Sequence, residues 1–179
     1  MASDASATPS RALRGRGILS DPLIQELLGE RLVAVLATTG RGGGVHAVPL
    51  WFALVDGTVV FATGAASRKV RDLEREPRAT VVVHDSRPGF EVCGASIRGR
   101  VDIVRGNAAL PLIERVHRRY ISGEGLALPE ARAFLAGDDV ALVMRLESAM
   151  TWDERANPAT AALASVDGAL PLEPTTPRR

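Results

Sequence analysis

Apolar residues in this chain fall mostly at every second position, the period of strands that bury one face. Such stretches run through RLVAVLATTG (31–40), VHAVPLWFALV (45–55), TVVFATG (58–64) and RATVVVHD (78–85). A longer one, GFEVCGASIRGRVDIVRG (89–106), carries Gly94 and Gly99 as bulges or bends, and DDVALVMRLESAMTWD (138–153) supplies a sixth strand. Asp56-Gly57 is a two-residue hairpin signal, and the glycines of GRGGG turn the first strand into the second. Where the period changes to that of a helix, four helices are predicted. Ser20 as N-cap, Pro22 in the first turn and Leu23, Ile24, Leu27 and Leu28 mark the first. Ser67 to Glu76 is the second, with Val70 and Leu73 inward and Pro77 as its stop. Residues 107–121 form the third, with Leu112, Ile113 and Val116 on one face and Tyr120 a turn further on, and LPEARAFL is a short fourth. Six strands with helices in the crossings predict a small, mostly antiparallel β-barrel with peripheral helices.

Composition sets bounds on this picture. The 179 residues, 46 % apolar, suffice for one sizeable core. One domain is expected over 18–155, between a flexible arm (1–17) and a Pro- and Thr-rich flexible tail (156–179). With 22 basic and 21 acidic residues the net charge is +1, which argues against a nucleic-acid partner. No apolar run approaches the ~20 residues that span a bilayer, so neither a membrane span nor a secretory leader is expected. A single cysteine, Cys93, excludes an internal disulfide and makes a reducing cytoplasm the expected setting.

Several chemistries drop out. His46, His84 and His117 are far apart and none has metal-ligand spacing, so no metal site is expected and each reads as a surface or strand-face histidine. No G-x-S-x-G elbow supports serine catalysis. GRGGG lacks both the order and the strand-to-helix setting of a dinucleotide loop. Asp85, Glu91 and Asp102 form no acid–base pair, and Cys93 in a β run reads as a small buried hydrophobe. No catalytic residue is assigned.

GAASRK, residues 64–69, is the pointed stretch. On one reading Ser67 caps a helix and Arg68 and Lys69 are solvated. On the other, a hydroxyl, two cations and the free N–H groups of a helix start together seat a phosphate. The second removes a conflict, because bases in a first turn oppose the helix dipole. Ala62, Gly64, Ala65 and Ala66 are small enough for a flat ring to approach the backbone. Pro49 in the neighbouring VPLWF interrupts its ladder.

LATTGRGGGVHAVPLWFALVDGTVVFATGAASRKVRDLEREPRATVVV, with the later IRGRVDIV and VALVMRLESAMTWD, resembles the flavin- and deazaflavin-dependent oxidoreductases related to pyridoxamine 5'-phosphate oxidase, over about residues 20–154. The resemblance implies a six-stranded antiparallel split β-barrel, a homodimer with a cofactor in each cleft between subunits, and hydride transfer to a small-molecule acceptor. It places Ser67, Arg68 and Lys69 at the cofactor phosphate, and Val48, Pro49, Leu50 and Trp51 with Ala62 and Thr63 along the ring. Tyr120 and Trp152 are candidate pocket walls, with packing as the other reading of each. The chain departs from pyridoxamine phosphate oxidases at Ala47 and Phe52, where they carry Arg and Lys, and at Ala62-Thr63-Gly64, where they carry Tyr-Thr-Asn. Those departures favour the deazaflavin coenzyme F420 over flavin mononucleotide (FMN). A flavin- or haem-carrying protein of the same fold, without turnover, stays open as the alternative.

Overall fold

Asp56 and Gly57 both take positive φ, 46° and 78°. That pair of values defines the tight turn whose twist matches antiparallel strands, and it joins β4 (Phe52–Val55) to β5 (Thr58–Gly64) as the dipeptide predicts. The computed structural model describes residues 10–85, 92–135 and 137–166. The predicted start of the fifth strand, Glu91 and the outer parts of both tails lie outside them.

In chain order the remaining elements are β1 (Arg11–Arg14), α1 (Gly17–Ser20), α2 (Pro22–Gly29), β2 (Ala34–Thr39), β3 (Val45–Leu50), α3 (Arg68–Arg75), β6 (Arg78–Asp85), β7 (Cys93–Val104), α4 (Leu110–Tyr120), α5 (Gly123–Ala127), α6 (Pro129–Leu135), β8 (Asp139–Asp153) and α7 (Pro158–Ala164). The strands form one antiparallel sheet in the order β3-β2-β6-β7-β8-β5-β4, with β1 added along β8. β3 and β4 stand at opposite ends of that order yet are joined through the single residue Trp51. The sheet therefore has to curl until its edges approach, which gives the expected split barrel.

Among the described residues the sheet has eight strands, not six. The predicted strand 45–55 breaks at Trp51 into β3 and β4. Arg11–Arg14, assigned by sequence to the arm, pairs with Ser148–Thr151, and Arg11 also forms an ion pair with Asp21 at 3.0 Å. Ser20 does not cap α2. Asp21 does, its Oδ1 accepting from the N–H groups of Leu23 and Ile24 at 3.0 and 3.3 Å. Part of the predicted tail forms α7.

Alternation along the strands sends Leu36, Val81, Ile97, Leu142 and Phe61 into the barrel, where α2 and α3 close it with Ile24, Leu27, Val70 and Leu73. A second cluster lies on the other side of β5, where Ala53, Val60 and Ala141 meet Ile113 and Val116 of α4 and Ala109 just before it. The outer face beyond α4 stays open. Pairing registers line up Pro49, Val35, Val82, Ser96, Met150 and Ala12 across it in one mostly apolar row. Among the described residues no helix is long and apolar enough to cross a membrane.

Of the two predicted bulge glycines, Gly99 is one: the β7–β8 register shifts between Arg98 and Gly99. Gly94 is not a bulge. It pairs regularly with Trp152, whose ring fills the space a side chain would need, 2.3 Å from its Cβ position. A Cβ at Gly99 would stand 2.0 Å from the Arg145 carbonyl oxygen. Gly99→Ala therefore has to move backbone, and a loss of about 2–4 kcal/mol is expected in chemical denaturation. Wild-type stability in that variant would contradict the bulge geometry.

Candidate functional site

Beyond Val60 the outer face of β5 carries only small residues, Ala62 packing partly against the second cluster, and a cleft of about 520 Å³ opens there. Pro49, Leu50, Trp51 and Val33 wall one side; Ala62, Thr63 and Gly64 of β5 wall the other, with His117 and Asp139 completing it. Small residues at 62 and 64 bring the backbone of β5 to the surface of the cleft. Asp139 pairs with Gly64 across the β5–β8 ladder, and a side chain at Gly64 would meet its Oδ1 at 3.9 Å.

From β5 the chain turns directly into α3. Lys69 Nζ donates to Thr63 Oγ1 at 2.8 Å, so the first turn of α3 is tied to the cleft wall. Burial lowers the Lys69 amine from its usual range, and the Asp139 carboxylate partly opposes this. Ser67 occupies the N-cap position, but its hydroxyl caps nothing. Oγ is buried without a hydrogen-bond partner, and the start of α3 has no side-chain cap. The capping reading of Ser67 is thus not what the structure shows. A buried hydroxyl left unpaired is costly, and here it sits at the positive end of a helix dipole.

The other predicted residues divide. Pro49, Leu50, Trp51, Ala62 and Thr63 meet in this one cleft. Val48 lies half-buried on β3 opposite Leu36, outside the lining. Arg68 turns toward the β2–β3 connection, its Nε 3.7 Å from Asp72 Oδ2 and its Nη2 2.9 Å from the Cβ position of Gly40. Tyr120 sits behind Trp51, ring centroids 4.9 Å apart and planes 4° from parallel. Trp152 lines a separate cavity of about 250 Å³ with Arg11, Asp21, Glu26 and Arg155. Cys93 is buried as expected, and burial pushes its thiol up, away from reactivity. Among the described residues no group of side chains is arranged to hold a metal.

His117 and Asp139 were not singled out from sequence as cleft residues. His117 is no surface or strand-face histidine: it lies on α4, 8 % exposed, one residue after Val116. Its spacing of four from Ile113 and three from Tyr120 was the available signal. Asp139 gave none, because its place depends on the β5–β8 register. Burial lowers the His117 imidazole from its ordinary value, again partly opposed by Asp139. The fold thus favours the neutral ring. That contribution is whole above the unfolded value of about 6.5 and is lost as the pH falls through the lower folded one. His117→Gln should flatten the decline in melting temperature between neutral and mildly acid pH. Parallel declines in both proteins would show that His117 does not titrate in this way.

The family model for pyridoxamine 5'-phosphate oxidase matches residues 20–153. No curated protein gives a significant match. Among solved structures, the conserved hypothetical protein Rv2991 from Mycobacterium tuberculosis is 25 % identical with a TM-score of 0.63, over 80 % of this chain and 91 % of that one. An F420 reductase is 26 % identical with a TM-score of 0.56, over 70 % of this chain and 94 % of its own. HutZ, the haem storage protein of Vibrio cholerae, shares the fold at 16 % identity and a TM-score of 0.60, over 74 % and 94 %. Since the matched stretch runs from α2 to the end of β8 and takes in both walls of the cleft, this chain belongs to the pyridoxamine 5'-phosphate oxidase family.

Proposed function

We propose that this protein is an oxidoreductase that binds a phosphorylated tricyclic cofactor in the cleft and transfers hydride to a small conjugated acceptor. One observation carries the reading. The buried, unpartnered Ser67 hydroxyl stands at an uncapped helix start, next to a desolvated Lys69 that is tied to the cleft wall. A phosphate resting there would satisfy the hydroxyl, complement the α3 dipole and stabilise the charged amine at once. The residues present fit such a group: Ser67 and Lys69 would hold its phosphate, with Arg68 adding charge beside the same turn. Pro49, Leu50 and Trp51 with Ala62 and Thr63 would flank its ring, and Val48 would support that wall from β3.

Bound there in its reduced form, the cofactor would supply the hydride, and the protein would supply position, electrostatics and exclusion of water. Trp51 and Pro49 shield one side of the ring site, while Ala62 and Gly64 keep the other close to backbone. His117 and Asp139 place an imidazole and a carboxylate at the polar end of the cleft. Coenzyme F420 is favoured over FMN. No lysine or arginine is among the residues that line the cleft, and a solved relative 26 % identical is an F420 reductase.

One observation favours a second reading, carriage of haem without turnover. The His117 imidazole is held neutral, the form that ligates iron, and it lines the cleft. Absorbance titration with F420, FMN and hemin separates these, followed by oxidation of the reduced cofactor with a panel of quinones and enones. Saturable binding of F420 or FMN with acceptor-dependent oxidation is expected. Binding of hemin alone would overturn the oxidoreductase reading.

A second copy of the chain covers the open sheet face, because a row of Pro49, Val35, Val82, Met150 and Ala12 left in water invites association. Light scattering should therefore give a dimer at micromolar concentration, and Val82→Glu should shift it to monomer. A wild-type monomer would refute this.

A charge-assisted hydrogen bond contributes roughly 1.5–3 kcal/mol. Lys69→Ala should accordingly weaken F420 or FMN binding about ten- to hundredfold and leave the apo melting temperature unchanged or higher. Ser67→Ala should also weaken binding without destabilising the apo protein, since no cap bond is lost. Unaltered affinity in both variants would return these residues to solvated helix-start positions.

A further inference from the structure

We propose that Tyr120 is the positioning residue of the cleft, holding the Trp51 indole as a fixed wall against which a flat ligand packs. The inference rests on reading the cleft as a ring-binding site. Trp51 needs such a device. It belongs to neither β3 nor β4, stands at the break between them and is 39 % exposed. A large side chain at such a point has several rotamers open to it.

Tyr120 acts on it in two ways. Its ring lies parallel to the indole at 4.9 Å, taking one face of Trp51 while the residue still lines the cleft. Its hydroxyl donates to the Leu32 carbonyl at 2.6 Å and accepts from the Phe52 N–H at 3.2 Å. Leu32 precedes Val33 and Phe52 follows Trp51, and both Val33 and Trp51 line the cleft. One oxygen atom therefore ties together the two backbone segments that carry this wall.

The helix delivering Tyr120 is itself anchored. Arg119, the residue before it, donates to the carbonyls of Leu28 and Glu30 at the end of α2 and lies over the Phe52 ring, 4.7 Å from its centroid. The end of α4 is thus held against α2 and β4 together. A tyrosine serving only as filler needs neither the two hydrogen bonds nor the parallel stack. A wall fixed before the ligand arrives spares the ordering of an exposed tryptophan on binding, which raises affinity.

The test uses the full chain with Trp152→Phe, which leaves Trp51 as the sole tryptophan of the two and keeps an aromatic ring against Gly94. In that background Tyr120→Phe retains the stacked ring and removes the hydroxyl, whereas Tyr120→Leu removes both. Acrylamide quenching of Trp51 in the apo protein, FMN affinity by calorimetry and thermal melts are measured for each. Tyr120→Leu should raise the quenching constant and weaken FMN binding about tenfold. Tyr120→Phe should fall between it and the parent in both readouts, with little change in melting temperature. Unchanged quenching in Tyr120→Leu overturns the proposal. So does an affinity that falls only in step with melting temperature, which a merely structural role would produce. Quenching requires no ligand, so it decides the role of Tyr120 even where FMN fails to bind, an outcome that counts against the cofactor reading alone.

Discussion

β5 has to be covered on both faces, and the rest of the molecule is arranged around that constraint. Its Val59 and Phe61 point into the barrel, and Val60 points out against α4. Apolar side chains on both faces of one strand cannot be left in water. The long crossover that places α4 outside the sheet therefore follows from the sequence of β5 itself. The cover ends where α4 ends. From Ala62 onward the outer face has only small residues, and only the last turns of α4 reach over it, with His117 on the wall of the cleft that remains. A binding site produced in this way needs no special loop. It arises where a doubly buried strand runs on to small residues near the end of its covering helix, and α3 starts at Arg68, four residues after the strand ends.

The strands were legible because alternation is a local signal. β5 and β6 lie at the predicted residues, and the Asp56-Gly57 turn has the positive φ values that the pair prescribes. Breaks and caps were less so. Trp51 divides the predicted second strand because the sheet must curl there to bring its edges together, a demand of the closed topology that no window of sequence contains. β1 has too short an apolar pattern to announce itself. It forms because β8, at 15 residues, outruns β5 and offers an unpaired edge at Ser148–Thr151. Ser20 and Asp21 are both good N-caps, and Asp21 wins by standing directly before Pro22.

The site was legible in a similar proportion. Residues adjacent in sequence along β3, β5 and α3 could be grouped by motif, and the cleft does gather five of them. What sequence could not supply were contributions from distant segments, His117 from α4 and Asp139 from β8, which reach the cleft only through sheet register and helix packing. Trp152 shows the converse. Its aromatic character made it a candidate wall, yet its ring fills the gap above Gly94 and lines a separate cavity.

Charge and shape are separated along the cleft, and that separation bears on what it selects. Next to the cleft, where Lys69 is tied to Thr63, a helix start, a desolvated amine and an unpaired hydroxyl stand in one turn of α3. Along the cleft itself the walls are Pro49, Leu50, Trp51, Val33 and Ala62, with no lysine or arginine among the lining residues. Asp139 is the one carboxylate lining the cleft among the described residues, and it sits close enough to both Lys69 and His117 to temper their desolvation. An anionic ring would find no compensating charge at the apolar end, whereas a flat ring of low charge with a phosphate on a short arm meets each end on suitable terms. On the proposed reading, binding of the phosphate would relieve an electrostatic cost that the apo fold carries, and binding of the ring would depend on the fit of a plane between Trp51 and the backbone of β5. Because the two contributions rest on different residues, affinity for the phosphate and discrimination among rings can vary independently in proteins built on this fold.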